Sequence, residues 1–137
     1  MDDSPTVLCI DDLPQVLELR KAALESRGYS VEVASCAYTA IKILEESPVI
    51  AVLLEYKQEG MDAEAIAYLI RKRFPTLPII LLSAFCDMPE SIMWLVDEYV
   101  MKSDLTERLP GIIERIALPR KFSPRSMERQ KRNAATA

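Results

Sequence analysis

Short unbroken apolar runs alternate along the chain with segments whose apolar residues recur every three to four positions. Val7-Leu8-Cys9-Ile10, Val49-Ile50-Ala51-Val52-Leu53-Leu54 and Ile79-Ile80-Leu81-Leu82 are of strand length and carry no polar position. They read as strands covered on both faces, the third running from Val49 to Glu55. Ser30 to Ala34 and Glu98 to Met101 are two further strands. Leu13-Pro14 opens a helix with Val16, Leu19, Ala23 and Leu24 on one face, ended by Gly28 at C′. Ala37, Ala40, Ile41 and Leu44 define a second helix, stopped at Ser47-Pro48. A loop from Tyr56 to Met61 contains Gly60. Asp62 then caps a third helix with Ile66, Leu69, Ile70 and Phe74 inward. Pro75 and Pro78 bracket the next turn. Pro89 opens a short fourth helix, and Leu109, Ile112, Ile113 and Ile116 stripe a last one. Pro110 and Gly111 fall in the expected first turn of that helix.

Strands and helices in strict alternation, joined by short connections, require parallel strands and right-handed crossovers. The pattern predicts an α/β fold, a doubly wound five-stranded parallel sheet of order 2-1-3-4-5 with helices on both faces. A chain of 137 residues suits one such domain, over residues 1–118, plus an extension. Charge marks the boundary. Residues 119–137 carry six basic side chains against one acid, leaving eleven against twenty in residues 1–118. The segment 119–137 therefore reads as a basic, disordered tail on an acidic body. Its partner is open: nucleic acid, membrane surface or an acidic protein face would all serve. The three cysteines form no CxxC pair, and the start is acidic without a secretory leader, so a cytoplasmic location is expected. No apolar stretch approaches the roughly 18 residues of a membrane span, so no membrane insertion is expected. Histidine is absent, which excludes His-dependent acid–base chemistry and His-ligated metals.

Chemistry concentrates where the predicted strands end. Asp11 and Asp12 follow the first strand, Glu55 closes the third, Ser83 the fourth, and Lys102 follows the fifth. In an open α/β sheet these ends lie on one edge, and the order 2-1-3 makes the first and third strands neighbours. Asp11, Asp12 and Glu55 then converge, and three carboxylates at close range need compensating cations. A divalent ion is one source, and Lys102 is another. Lys57 supplies a third, if its side chain turns to the acids rather than to solvent.

Paired acids, a third acid, a hydroxyl and a lysine on successive strand ends resemble the receiver domain of two-component response regulators, from residue 6 to about 117. The resemblance implies a receiver (CheY-like, flavodoxin-like) fold. It implies that Asp11 and Asp12 hold Mg2+ together with the acid at 55 and the backbone carbonyl of Lys57. Glu55 stands at the phosphoacceptor position, where the family has aspartate. Ser83 matches the hydroxyl residue that bonds the phosphoryl group and signals its presence, Lys102 the lysine that pairs with the phosphoryl oxygens, and Tyr99 the aromatic that swings inward on activation. Other departures are Glu59 for a common proline, Ala63 for a common glycine, and Ser103 for a proline after the lysine. The span from Ser83 to Lys102 is also short, which predicts a curtailed fourth helix.

Glu55 carries one methylene more than aspartate, so its carboxylate projects about 1.5 Å further, and misplacement of that order costs roughly 10²-fold in transfer rate. The longer carboxylate is placed instead to imitate a phosphoryl group near Ser83 and Lys102. The expectation is a stand-alone, non-enzymatic pseudo-receiver that signals through protein–protein interaction, with Glu55 not phosphorylated and an aspartate at 55 restoring phosphorylation. Two other readings stay open: a receiver regulated by metal, partner or modification elsewhere, and a metal-assisted phosphohydrolase. Mg2+ is expected to bind weakly or not at all. A glutamate reaching toward Lys102 no longer points at a metal, which favours a lysine ammonium in its place. The expected partners are a histidine kinase or an output protein, and a second copy through helix 4, strand 5 and helix 5. Trp94 on the outer side of helix 4, together with Tyr99, marks that surface; a shortened helix that turned Trp94 inward would make it a lid on the core.

Overall fold

The computed structural model describes residues 4–57, 60–85 and 87–116. The elements in order are β1 (Thr6–Ile10), α1 (Pro14–Glu25), β2 (Ser30–Ala34), α2 (Ala37–Glu46), β3 (Val49–Glu55), α3 (Ala63–Arg73), β4 (Ile79–Ser83), α4 (Glu90–Met93), β5 (Glu98–Met101) and α5 (Leu105–Ile116), with a 3-10 turn, Lys102–Asp104, before α5. All strand pairs are parallel, in the order β2-β1-β3-β4-β5. The doubly wound sheet expected from the alternation is the one observed. Glu59, Cys86 and the segment 119–137 lie outside the described residues.

Strand alternation divides the core in two. Val7, Cys9, Ala51, Leu53, Ile80, Leu82 and Val100 face α1 and α5, meeting Leu17, Leu24, Leu109, Ile112 and Ile113. Leu8, Ile10, Val52, Leu54, Ile79 and Leu81 face the other way, onto Ala40, Leu44, Ile66, Ala67, Ile70 and Ile92 of α2, α3 and α4.

The helix ends follow local chemistry. Pro14 takes the first helical position of α1, where its missing N–H costs nothing. At the other end Gly28, with φ 95°, sits at C′. The Tyr29 N–H reaches the Leu24 carbonyl at 3.2 Å and the Gly28 N–H that of Glu25 at 3.0 Å, a Schellman closure. Asp62 caps α3 by accepting the Ala65 N–H at 3.0 Å.

Several faces differ from the sequence expectation. In α1 the inward residues are Leu17 and Leu24, while Leu19 is 73% exposed. Ala23 is exposed and Val16 half-buried. The helix is turned so that Arg20 joins the inward stripe, a basic residue that an apolar count passes over. In α3, Ala63, Ile66, Ala67 and Ile70 are buried and Leu69 is exposed, because alanines allow the helix to approach the sheet on their side. The fourth helix is short as expected, four residues, and Leu95 and Val96 just beyond it pack on the core. Pro110 lies in the interior of α5 rather than in its first turn, since the helix starts at Leu105 directly from the 3-10 turn.

Arg71 fastens the α3 end to the β5 entry. Its guanidinium donates to the carbonyls of Leu95 (3.1 and 2.9 Å), Pro75 (3.0 Å) and Leu77 (2.8 Å), and to Asp97 Oδ2 at 2.7 Å. The same Asp97 oxygen accepts the Ile79 N–H at 2.8 Å.

Candidate functional site

Pairing of β1 with β3 sets Ile10 beside Leu54, which brings Asp11 next to Glu55 at the carboxyl edge of the sheet. Asp11 and Glu55 are each 2% exposed. Asp11 extends the β1 ladder through its N–H to the Ala34 carbonyl at 3.2 Å, and its Oδ1 accepts the Leu13 N–H at 3.1 Å, turning the chain into α1. Asp11 thus serves the helix start and the acid cluster together. Asp12 is more open, its side chain 33% exposed.

Each carboxylate has a cation. Lys57 turns inward, placing Nζ 2.7 Å from Asp11 Oδ1 and 2.5 Å from Asp12 Oδ1. Burial pulls the Lys57 ammonium down, but its hydrogen bonds and proximity to the two acids outweigh this and raise it above its usual value. The hydrogen bond from Lys57 is also the main reason the Asp12 carboxyl is held below the usual carboxylate range. Gly60, with φ 93°, carries the following loop over Asp12; a Cβ there would stand 2.7 Å from Asp12 Oδ2.

Glu55 continues the Ala51, Leu53 series, so its side chain falls on the α1 and α5 side of the sheet. There Arg20 NH2 donates to Oε2 at 3.2 Å, and Lys102, the first residue of the 3-10 turn before α5, ion-pairs with Oε1. The second contact is an ion pair and not a hydrogen bond in its alignment. Arg20 was not a candidate on sequence grounds. The signal was available in its spacing, three residues after Leu17 and four before Leu24, on the buried stripe. Burial lowers the Arg20 guanidinium from its ordinary value, and nearby Cys9 and Asp11 oppose the shift.

Ser83 continues the Ile79, Leu81 series toward the opposite face and is fully buried. Its Oγ accepts the Phe85 N–H at 2.9 Å. Among the described residues no hydrogen bond joins Ser83 to Glu55, so of the two expected neighbours of the carboxylate the structure supplies Lys102. Tyr99 is half-buried on β5, and its hydroxyl donates to the Phe85 carbonyl. The Phe85 ring meets Tyr56 edge-on, with centroids 6.5 Å apart. Trp94 is 80% exposed just past α4, so it is not a lid on the core.

Residues 7–113 match the model of the response regulator receiver domain. The chain belongs to the response regulator receiver domain family. A putative response regulator of Rickettsia bellii, NtrX-like, is 38% identical over 79 residues, which are 56% of this chain and 16% of that protein. The counterpart from Rickettsia felis is 37% identical over 79 residues, 56% of this chain and 17% of that protein. The match thus spans about a sixth of the length of these relatives. Among solved structures, the response regulator TrrA from Thermotoga maritima in complex with Mg2+-BeF is 29% identical, with a TM-score of 0.73 over 82% of this chain and 98% of that one. TrrA solved in complex with the histidine kinase ThkA is 30% identical, with a TM-score of 0.73 over 82% of this chain and 97% of that one. The family is one of two-component signalling domains.

The expected metal set was Asp11, Asp12, Glu55 and the Lys57 carbonyl. In the structure these acidic side chains are turned to cations of the chain itself. Lys57 Nζ bridges Asp11 and Asp12, and Glu55 is turned to Arg20 and Lys102. Among the described residues no three acids or thiols converge as a metal-holding group. Nor does any described helix have the length and apolarity to cross a membrane.

Proposed function

We propose that this receiver domain is a non-catalytic pseudo-receiver of a cytoplasmic two-component pathway, signalling by docking to proteins without phosphorylation at residue 55. One observation carries the reading: a buried glutamate at the acceptor position, with its carboxylate engaged by Arg20 and Lys102. Phosphoryl transfer needs a free carboxylate oxygen in line with the donor. Both oxygens of Glu55 already face cations. In this reading Glu55 supplies the anion that Lys102 meets in a phosphorylated receiver. It does so with about one charge and two oxygens in place of nearly two charges and three oxygens.

The partner classes follow from the same reading: a histidine kinase, an output protein, or a second copy through α4, β5 and α5, with Trp94 and Tyr99 on that surface. The test is direct. The full chain is incubated with magnesium and a small phosphodonor such as acetyl phosphate, then weighed intact. No phosphoryl mass increment is expected. A stoichiometric increment mapping to Glu55 would refute the proposal.

A further inference from the structure

We infer that the Lys57 ammonium is a built-in replacement for a divalent ion at Asp11 and Asp12, and that Lys57, rather than Glu55 alone, makes the site indifferent to metal. The inference rests on the reading of residue 55 given above and deepens it by naming what neutralises the other two acids. The cluster holds three acids, Asp11, Asp12 and Glu55, and three cations, Arg20, Lys57 and Lys102. It is balanced from within. Lys57 is joined to β3 through Tyr56, so a short tether returns its side chain to the strand edge. Its Nζ donates to Asp12 Oδ1 at 2.5 Å and ion-pairs with Asp11 Oδ1 at 2.7 Å, with the side chain 18% exposed. An incoming divalent ion would have to expel this ammonium or share two carboxylates with it. Two like charges at such range repel strongly outside bulk water. Gly60 narrows the approach further, since the loop backbone passes close to Asp12 Oδ2.

The consequence runs against the simplest expectation from sequence, that an aspartate at position 55 is enough to restore a working receiver. Glu55→Asp shortens one carboxylate and leaves Lys57 where it is. Opening the metal site requires removal of the ammonium as well.

The experiment is calorimetric titration of the full chain with magnesium chloride and with manganese chloride, paired with thermal midpoints at matched ionic strength. The forms compared are the wild type, Lys57→Met, Lys57→Arg, Glu55→Asp and the double change Glu55→Asp/Lys57→Met. The wild type, Lys57→Arg and Glu55→Asp are expected to show no midpoint shift and little binding heat. Lys57→Met is expected to melt lower without divalent ion, to recover in millimolar magnesium but not in matched sodium chloride, and to bind at least about tenfold more tightly than the wild type. The double change should bind more tightly still, because the shorter carboxylate no longer reaches Lys102. If Lys57→Met does not fold, Lys57→Gln takes its place in every comparison. Magnesium binding to the wild type as tight as to Lys57→Met, or tight binding gained by Glu55→Asp alone, would overturn the inference. Either result leaves the phosphodonor test untouched, and a phosphorylated wild type would overturn the proposed function whatever Lys57 does.

Discussion

Burying a carboxylate as deeply as Glu55, 2% exposed, is destabilising unless cations and hydrogen bonds accompany it. The sheet edge therefore dictates its own counter-ions, and their identity follows from which way each side chain points. Glu55 shares a face with α1 and α5, so its partners come from there: Arg20 and Lys102. The sequence placed the acids, Ser83 and Lys102 on one edge, because strand ends are legible from apolar runs. It did not reveal Arg20, because hydrophobic patterning assigns a basic residue to the outside by default. Nor did it decide where Lys57 points, since a long flexible side chain after a strand reads equally as solvent-facing. The Arg20 charge also touches Cys9, whose thiol is pushed by burial up to about 12, with the arginine pulling modestly the other way. Cys36, exposed ahead of α2, is lowered by its hydrogen bond with Thr39. Iodoacetamide on the native protein at mildly alkaline pH is therefore expected to label Cys36 and spare Cys9, with Cys9 reacting only after unfolding. The sign for stability follows. The Cys9 thiol is raised above its unfolded value of 9.0, so its contribution is complete below about pH 9 and is lost as pH rises toward about 12. Peptide mapping that finds Cys9 alkylated as fast as Cys36 would contradict this.

At the scale of elements, the strands were readable almost to the residue and the helices only in part. An unbroken apolar run between turn residues admits one element, whereas a helix with apolar residues on more than one face admits several rotations. Leu19 and Leu69 were expected inward and are exposed, while the smaller Ala63 and Ala67 are buried. Close packing on a sheet rewards a helix face that can approach, and size alone does not reveal it. The α5 start was misjudged because Pro110, expected in the first turn, is tolerated in the helix interior at the loss of one backbone hydrogen bond. Arg71 is the clearest case of an element held by one side chain, since it satisfies three carbonyls and Asp97. Arg71→Met removes the side-chain donor from those carbonyls and leaves Asp97 only the Ile79 N–H, and is expected to cost about 2–4 kcal/mol. Arg73, two residues on, pairs with Glu45 at the surface, with side chains 54% and 44% exposed, and Arg73→Met should change stability by less than about 1 kcal/mol. Urea melts of the two variants separate these. Equal losses would show that the Arg71 bonds add nothing beyond an ordinary surface pair.

Across the whole molecule, one edge of the sheet is internally neutralised and one flank carries the largest exposed aromatic. Trp94 is 80% exposed, and its neighbour Met93 is 39% exposed. A tryptophan left in water by a folded chain is unusual, and such residues are enriched at the centres of interfaces. It lies just past a helix of four residues, beside a turn that Arg71 of α3 pins at the Leu95 carbonyl, so its position is held by its neighbours and not by burial of the indole. The adjoining β5 and α5 are held together by the Glu98–Arg115 ion pair, which presents them as one surface. Self-association or partner docking through this flank should then depend on the indole while the fold does not. Trp94→Ala is expected to change stability by no more than about 1 kcal/mol. It should also weaken self-association, followed by sedimentation over a concentration series, by on the order of tenfold or more. The wild-type emission should be that of a solvated indole and should be quenched by iodide. A blue-shifted, unquenched spectrum together with a large loss of stability in the variant would return Trp94 to the core. A chain that stays monomeric at every concentration, with or without Trp94, would remove the second copy as its partner on this flank.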